Sequence, residues 1–124
     1  MAKRTSVQEN VVGLEKLDGL DPLFRVQARQ VIEEMQQKGW KLRIVWGKHT
    51  KDENDALVEQ GVASKKSKHL EGKALDLIDR HTGYTNDRNH KYYKDLQAVA
   101  RKVRVTWGGD FTSRWDPCHV EAAD

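Results

Sequence analysis

Hydrophobic positions along the chain follow two spacings, one typical of helices and the other typical of strands. Residues 22–38 carry apolar side chains on one broad face, and Asp21-Pro22 supplies a capping side chain followed by a proline at the first helical position. Within residues 40–46, Leu42, Ile44 and Trp46 alternate with Lys41, Arg43 and Val45, which is the pattern of a half-buried strand. Residues 89–102 return to helical spacing. The chain therefore mixes helices with at least one strand.

Shorter segments complete this pattern. Apolar residues between positions 11 and 17 follow a capping box at Ser6–Glu9 and predict a short helix that ends near Gly19. A further short helix is predicted over 52–60, and strands are predicted at 73–79, at 103–107 and close to the C-terminus. With turns this short, the predicted fold is α+β: a small, mainly antiparallel sheet with helices packed to one side, in a single domain over residues 1–124.

Two of these segments carry side chains that suit a metal ion. On the strand at 73–79, Asp76 faces away from its apolar neighbours, and His69 precedes it across a turn at Gly72. In the C-terminal strand, His119 shares a face with Glu121. Catalytic zinc is usually held by three nitrogen or oxygen ligands, with the fourth position left to water. We therefore predict a zinc site formed by His69, Asp76 and His119.

The spacing of these residues resembles a known family. Ser-x-His-x-x-Gly-x-Ala-x-Asp spans residues 67–76, Trp-Gly-Gly-Asp-Phe spans 107–111, and Asp-x-x-His-x-Glu spans 116–121. This pattern resembles the M15 zinc peptidases, the D-alanyl-D-alanine carboxypeptidase and dipeptidase family. It is most similar to the short phage endolysins that act as L-alanyl-D-glutamate peptidases. The resemblance covers the C-terminal half in detail. It implies a hedgehog-like fold, one Zn²⁺ ion and peptidoglycan stem peptides as substrate.

The second carboxylate of the motif is Asp116, three residues before His119. It is the predicted general base, which takes a proton from the attacking water and returns it to the leaving amine. A loop-capping role is the alternative for this residue. Glu121 is expected either to hold a ligand histidine or to support a substrate contact. Cys118 should face the opposite way from His119, as a small buried side chain.

Other candidate residues flank these motifs. The family commonly has an arginine in the loop after the first strand, but this chain has His49 there, with Lys48 beside it. Either could polarise a carbonyl, although neither offers the bidentate fork of arginine, and both could equally be solvated loop residues. Ser67 could bond the substrate or a metal ligand. Trp115 could contact substrate or only pack in the core. The lysines at 65, 66 and 68 could guide an acidic peptide or simply be solvated.

The composition of the chain limits where the protein is expected to be made and what it is expected to bind. A charged fraction of 33% without a long apolar run excludes a membrane span. The basic first residues are followed by no apolar stretch, so no secretory signal is expected, and one cysteine is consistent with synthesis in a reducing cytoplasm. The net charge is +3, and the lysines are scattered without a nucleic-acid recognition motif. We expect a monomer that is made in a host cytoplasm and acts on the cell wall after release.

Three functions stay open from the sequence. The first is a zinc endolysin that cleaves the L-alanyl-D-glutamate bond. The second is a D-alanyl-D-alanine carboxypeptidase. The third is a non-catalytic zinc-binding module of the same fold, which the change to His49 keeps possible.

Overall fold

The structure is a computed structural model that describes residues 11–48, 56, 59 and 68–123. Short 3₁₀ helices cover Leu14–Gly19, Lys68–Glu71 and Gly108–Asp110. The main elements, in chain order, are α1 (Pro22–Gln37), β1 (Leu42–Trp46), β2 (Ala74–Asp79), α2 (Lys91–Val103), β3 (Thr106–Trp107) and β4 (His119–Glu121). The predicted α+β fold is confirmed.

The four strands form one sheet in the order β1-β2-β4-β3, and every neighbouring pair is antiparallel. This arrangement places the C-terminal strand β4 between β2 and β3, although β4 is last in the sequence. The sheet therefore brings the chain's two chemistry-bearing segments side by side at its centre.

Both long helices form as their apolar spacing predicts. Asp21 Oδ2 accepts a hydrogen bond from the backbone N–H of Phe24 at 3.1 Å, and Pro22 opens α1. The helix α2 is fixed to the sheet by the Tyr92 hydroxyl, which donates to the carbonyl oxygen of Leu77 at 2.7 Å. The buried residues of the two helices are Phe24, Ala28, Val31, Ile32, Met35, Tyr92, Tyr93, Leu96, Val99 and Ala100.

The two faces of the sheet have different roles. Leu75 and Leu77 of β2 are fully buried in the hydrophobic core, and Val120 of β4 pairs with Leu75 on the same side. Because side chains alternate along a strand, the residues between them point to the opposite face. Asp76 and His119 lie on that opposite face, directly across from each other.

Two sequence predictions need correction. The helix predicted from residue 11 is replaced by a parallel bridge between Val12 and Arg43, and helical turns begin only at Leu14. The reason is that the Val12 backbone bonds to β1, accepting from the Ile44 N–H at 2.8 Å. The strand predicted at 103–107 is shorter, because α2 continues to Val103 and ends at Arg104, whose φ is 73°.

Two other predictions fall on parts of the chain that are not described. The capping box at Ser6–Glu9 lies outside the described residues. The helix predicted over 52–60 also lies outside them, apart from Ala56 and Glu59, which are both helical. Among the residues that the structure describes, no helix is both long enough and apolar enough to cross a membrane.

Candidate metal centre

Three side chains from three separate elements converge on the open face of the sheet. His69 belongs to the 3₁₀ helix at Lys68–Glu71, Asp76 to β2 and His119 to β4. One nitrogen or oxygen of each lies within 4.8 Å of the others. Asp76 Oδ1 is 3.4 Å from His69 Nε2 and 3.1 Å from His119 Nδ1. Ligands around a tetrahedral zinc are separated by about 3.3 Å, so the predicted donors have suitable spacing.

Strand register explains why Asp76 and His119 meet. They are directly opposite on antiparallel neighbours, and such pairs lie on the same face of the sheet. His69 reaches the same point because the chain turns back at Gly72, whose φ is 71°. A Cβ atom at Gly72 would lie 2.9 Å from the backbone of Gly19 and Asp21, so a larger residue would push this turn away. The turn therefore requires glycine.

Each histidine has one ring nitrogen committed to a partner outside the cluster. His69 Nδ1 lies 2.6 Å from the carbonyl oxygen of Gly47, which can only accept, so this nitrogen carries the proton. His119 Nε2 lies 2.7 Å from Glu121 Oε1. The remaining nitrogens, His69 Nε2 and His119 Nδ1, both face Asp76. Metal-binding histidines typically use one nitrogen for the ion and the other for a carbonyl or carboxylate.

The electrostatics of the cluster favour a charged carboxylate. Burial by itself would raise the pKa of Asp76, but hydrogen bonds and positive charge from His119 and His69 outweigh burial and hold that pKa well below its ordinary range. For His119, burial opposes the charged ring, yet contacts with Asp76 and Glu121 raise its pKa. An anionic oxygen between two imidazoles is a donor set that fits a divalent cation such as Zn²⁺.

Asp116 lies at the edge of this cluster. Its Oδ2 is 3.7 Å from His119 Nδ1, and the side chain is 41% exposed, so it borders the donors and remains open to solvent. Burial and the nearby charge of Asp76 raise its pKa, while His119, His69 and Arg114 act in the opposite direction. A carboxylate with a raised pKa is better suited to exchange protons near neutral pH.

The loop that carries Asp116 depends on Gly108. A Cβ atom at this position would lie 2.2 Å from the carbonyl oxygen of Asp116 and 2.9 Å from Cβ of His119. The Gly108 carbonyl also accepts hydrogen bonds from the N–H groups of Phe111 and Asp116. The glycine therefore lets the backbone at Gly108 approach both Asp116 and His119 closely.

The other predicted site residues have different positions. Lys48 is exposed and follows Gly47, the partner of His69. His49 and Ser67 lie outside the described residues. The Trp115 ring is 5.6 Å from the ring of Tyr93 and 6.4 Å from that of Tyr84, and the Arg88 guanidinium lies over it at 4.2 Å. Trp115, the residue before Asp116, thus packs against the rings of Tyr93 and Tyr84.

Sequence reasoning did not predict two particular contacts of the cluster. The Phe111 ring is 5.7 Å from the ring of His119. The place of Phe111 in the Trp-Gly-Gly-Asp-Phe motif was the available signal. The Gly47 contact to His69 is made by a backbone carbonyl, which no residue pattern reveals.

Cys118 is buried, as expected, and burial raises the pKa of its thiol to about 12.

The fold and the three converging donors define a class: an α+β domain with a candidate mononuclear metal centre on the open face of its sheet. A family profile described as D-alanyl-D-alanine carboxypeptidase matches residues 60–122, which is slightly more than half of the chain. The chain therefore belongs to this family of M15 peptidases, as its motifs predicted. No curated protein sequence matches it.

Solved structures share the fold. The L-Ala D-Glu endopeptidase ChiX of Serratia marcescens is 20% identical with a TM-score of 0.69, and the alignment covers 96% of this chain and 94% of that one. The LD-carboxypeptidase LdcB is 17% identical with a TM-score of 0.63, covering 84% of this chain and 59% of that one. At these identities the likeness shows the fold, an α+β fold that matches these M15 peptidase neighbours.

Proposed function

We propose that this protein is a zinc-dependent peptidase that hydrolyses an amide bond in the stem peptide of peptidoglycan. Its family membership supports peptidase activity. The observation that carries the proposal is the convergence of His69, Asp76 and His119, with the Asp116 carboxylate beside them. A metal-dependent hydrolase needs a site for an electrophilic ion and an adjacent group that exchanges protons, and this cluster offers candidates for both.

The residues have distinct roles in this proposal. His69, Asp76 and His119 would hold the ion through the two ring nitrogens and the carboxylate oxygen that face one another. A bound zinc ion supplies a Lewis acid that polarises the scissile carbonyl and increases the acidity of water. Asp116 accepts the proton of the attacking water on its carboxylate and delivers it to the departing amine. The half-buried Phe111 ring lies beside His119, where it could contact an apolar part of the substrate.

The L-alanyl-D-glutamate bond is the proposed point of cleavage. The motif resemblance to phage endolysins supports it, and ChiX, named as an L-Ala D-Glu endopeptidase, aligns over nearly its whole length. Digestion of purified sacculi, followed by mass spectrometry of the new amino termini, tests this choice. New D-glutamate amino termini are expected. Release of free D-alanine alone would instead identify a carboxypeptidase, the activity for which the family profile is described.

A non-catalytic zinc-binding module is the second candidate. The observation that favours it is His49, at the position where the family commonly has arginine. Wild-type protein that binds zinc yet leaves every wall preparation intact would support this candidate. Hydrolysis by the wild type that disappears in Asp116→Ala, with zinc still bound, would exclude it.

The proposed biological setting is lysis of a host cell by a phage, with the monomeric enzyme reaching the wall after release from the cytoplasm. Expression in a bacterial host with and without a holin tests this setting. Lysis is expected only when the holin is present. The oligomeric state is measured by light scattering on the purified chain.

A further inference from the structure

Lys68 links the two segments that carry the histidine donors. Its Nζ donates a hydrogen bond to the carbonyl oxygen of Ala122 at 2.9 Å and lies 3.7 Å from Glu121 Oε2. Lys68 immediately precedes His69. Glu121 is the last residue of β4, two positions after His119, and Ala122 follows it. The lysine side chain is only 25% exposed. One ammonium group therefore connects chain segments that are 54 residues apart in sequence.

Glu121 continues this connection into the donor cluster. Its Oε2 faces Lys68, while its Oε1 is 2.7 Å from His119 Nε2. The other nitrogen of His119 is 3.1 Å from Asp76 Oδ1, which in turn is 3.4 Å from His69 Nε2. The contacts form a closed circuit, because His69 is bonded through the backbone to Lys68. Lys68 and Glu121 thus connect the segment of His69 to the ring of His119 by side-chain contacts that are separate from the strand ladder.

We propose that Lys68 is a positioning residue of the metal centre, which fixes the distance between the His69 and His119 segments and the orientation of Glu121. This inference rests on the proposed metal site. The sequence left the lysines at 65, 66 and 68 as either a guide for acidic peptides or a solvated loop. The contacts of Lys68 with Ala122 and Glu121 assign it a different role.

The environment of the ammonium distinguishes it from an ordinary surface ion pair. Exposed pairs contribute little, because water screens them and two long side chains must be ordered. Lys68 is partly buried, has a backbone carbonyl as well as a carboxylate partner, and contacts Glu121, which bonds directly to His119. Loss of a group that bonds a metal ligand directly typically weakens metal affinity about 10–100-fold, and Lys68 acts on the site through such a group, Glu121.

Lys73 provides a matched control. It is on the other side of the same turn, carries the same charge and pairs at 3.7 Å with Glu71, whose side chain is 59% exposed. Replacement of either lysine by methionine removes one positive charge near the site and keeps an unbranched side chain. A general effect of charge on zinc binding would therefore appear in both variants.

The test compares wild type, Lys68→Met and Lys73→Met as full chains. The zinc dissociation constant is measured by competition with a chromogenic chelator, and thermal melting is measured in EDTA. We expect Lys68→Met to bind zinc about 10–100-fold more weakly. Lys73→Met should stay within about threefold of wild type. The visible spectrum of the Co²⁺-loaded protein should change in Lys68→Met alone, because it reports the arrangement of the donors.

A Lys68→Arg variant separates positioning from folding. Arginine keeps the charge and can reach both acceptors, so it should recover most of the lost affinity. Equal affinities in Lys68→Met and Lys73→Met would overturn the inference while leaving the proposed function intact. Recovery of melting by Lys68→Arg without recovery of affinity would overturn it as well. Wild-type protein that binds no zinc would overturn the proposed metal site itself.

Discussion

His119 Nδ1 lies 3.1 Å from Asp76 Oδ1, between residues that are directly opposite each other on adjacent antiparallel strands. The pair is 43 residues apart in sequence, yet strand register alone fixes its separation. His69 joins from outside the sheet, on a 3₁₀ helix. Two of the proposed donors are thus carried by neighbouring strands and the third by a glycine-dependent turn, so side-chain contacts such as those of Lys68 can set how the third donor meets the other two.

The first prediction concerns the central carboxylate. Asp76→Asn keeps the shape of the side chain but removes the charge that both imidazoles face. We expect a loss of zinc affinity greater than the roughly 10–100-fold typical of an outer partner, because a direct donor is altered. Zinc content after dialysis is the measurement. His81→Ala, at an exposed position outside the cluster, should retain its zinc.

The second prediction concerns the proton-transfer group. Asp116→Asn should lower kcat by about 10²–10⁴, because the amide cannot accept the proton of water. KM and zinc content should remain at wild-type values, since Asp116 is not among the three donors. Steady-state kinetics on a stem-peptide substrate checks this. Asp110→Asn is the matched control and should keep full activity, because Asp110 ends the preceding 3₁₀ helix and pairs with Arg101.

Glu121 gives a third prediction. Glu121→Gln retains an oxygen near His119 Nε2 but removes its negative charge. Zinc affinity should fall about 10–100-fold, with residual activity at saturating zinc. Competition with a chelator measures the change. If Glu121→Gln and the exposed-site variant Glu71→Gln bind zinc equally, Glu121 does not support the histidine.

The fourth prediction concerns the turn behind the site. Gly108→Ala places a methyl group 2.2 Å from the Asp116 carbonyl oxygen and 2.9 Å from Cβ of His119. The free energy of unfolding should fall by about 1–3 kcal/mol, because the backbone must move to relieve the overlap. Denaturant unfolding and activity are measured together. Gly19→Ala, whose added Cβ meets its nearest neighbour at 3.5 Å, should change stability by less than about 0.5 kcal/mol.

The fifth prediction is a pH dependence away from the metal donors. Burial would raise the pKa of Asp95, but hydrogen bonds from Lys91 and from the Trp40 indole N–H outweigh burial and lower it. A lowered folded-state pKa contributes stability that is present above the unfolded pKa of about 3.9 and is lost as the pH falls through the folded value.

Asp95→Asn should therefore be less stable than wild type at pH 6, and the gap should narrow below about pH 4. Urea unfolding in EDTA at pH 6 and pH 3 measures the difference in free energy of unfolding between the two proteins. EDTA removes any contribution of bound metal. A gap that stays constant between the two pH values would contradict the assignment. Lys91→Met should reduce the same pH dependence, because it removes one of the two donors to Asp95.

The helices and strands could be predicted where periodicity and end signals agree. Asp21 and Pro22 open α1 as expected, and alternation places Leu75 in the core and Asp76 on the opposite face. The prediction failed where backbone pairing overrides local pattern. Val12 carries apolar spacing that suits a helix, yet its backbone gains more hydrogen bonds by joining β1.

The sequence by itself determined the α+β class, the family and the residue types of the proposed metal centre, because motif spacing and strand alternation are local properties. Only the tertiary structure decided which partners hold those residues. The Gly47 carbonyl on His69 and the Lys68 ammonium on Glu121 each join segments distant in sequence. Such contacts depend on strand order and turn geometry, which arise from packing of the whole chain and have no signature in any single stretch.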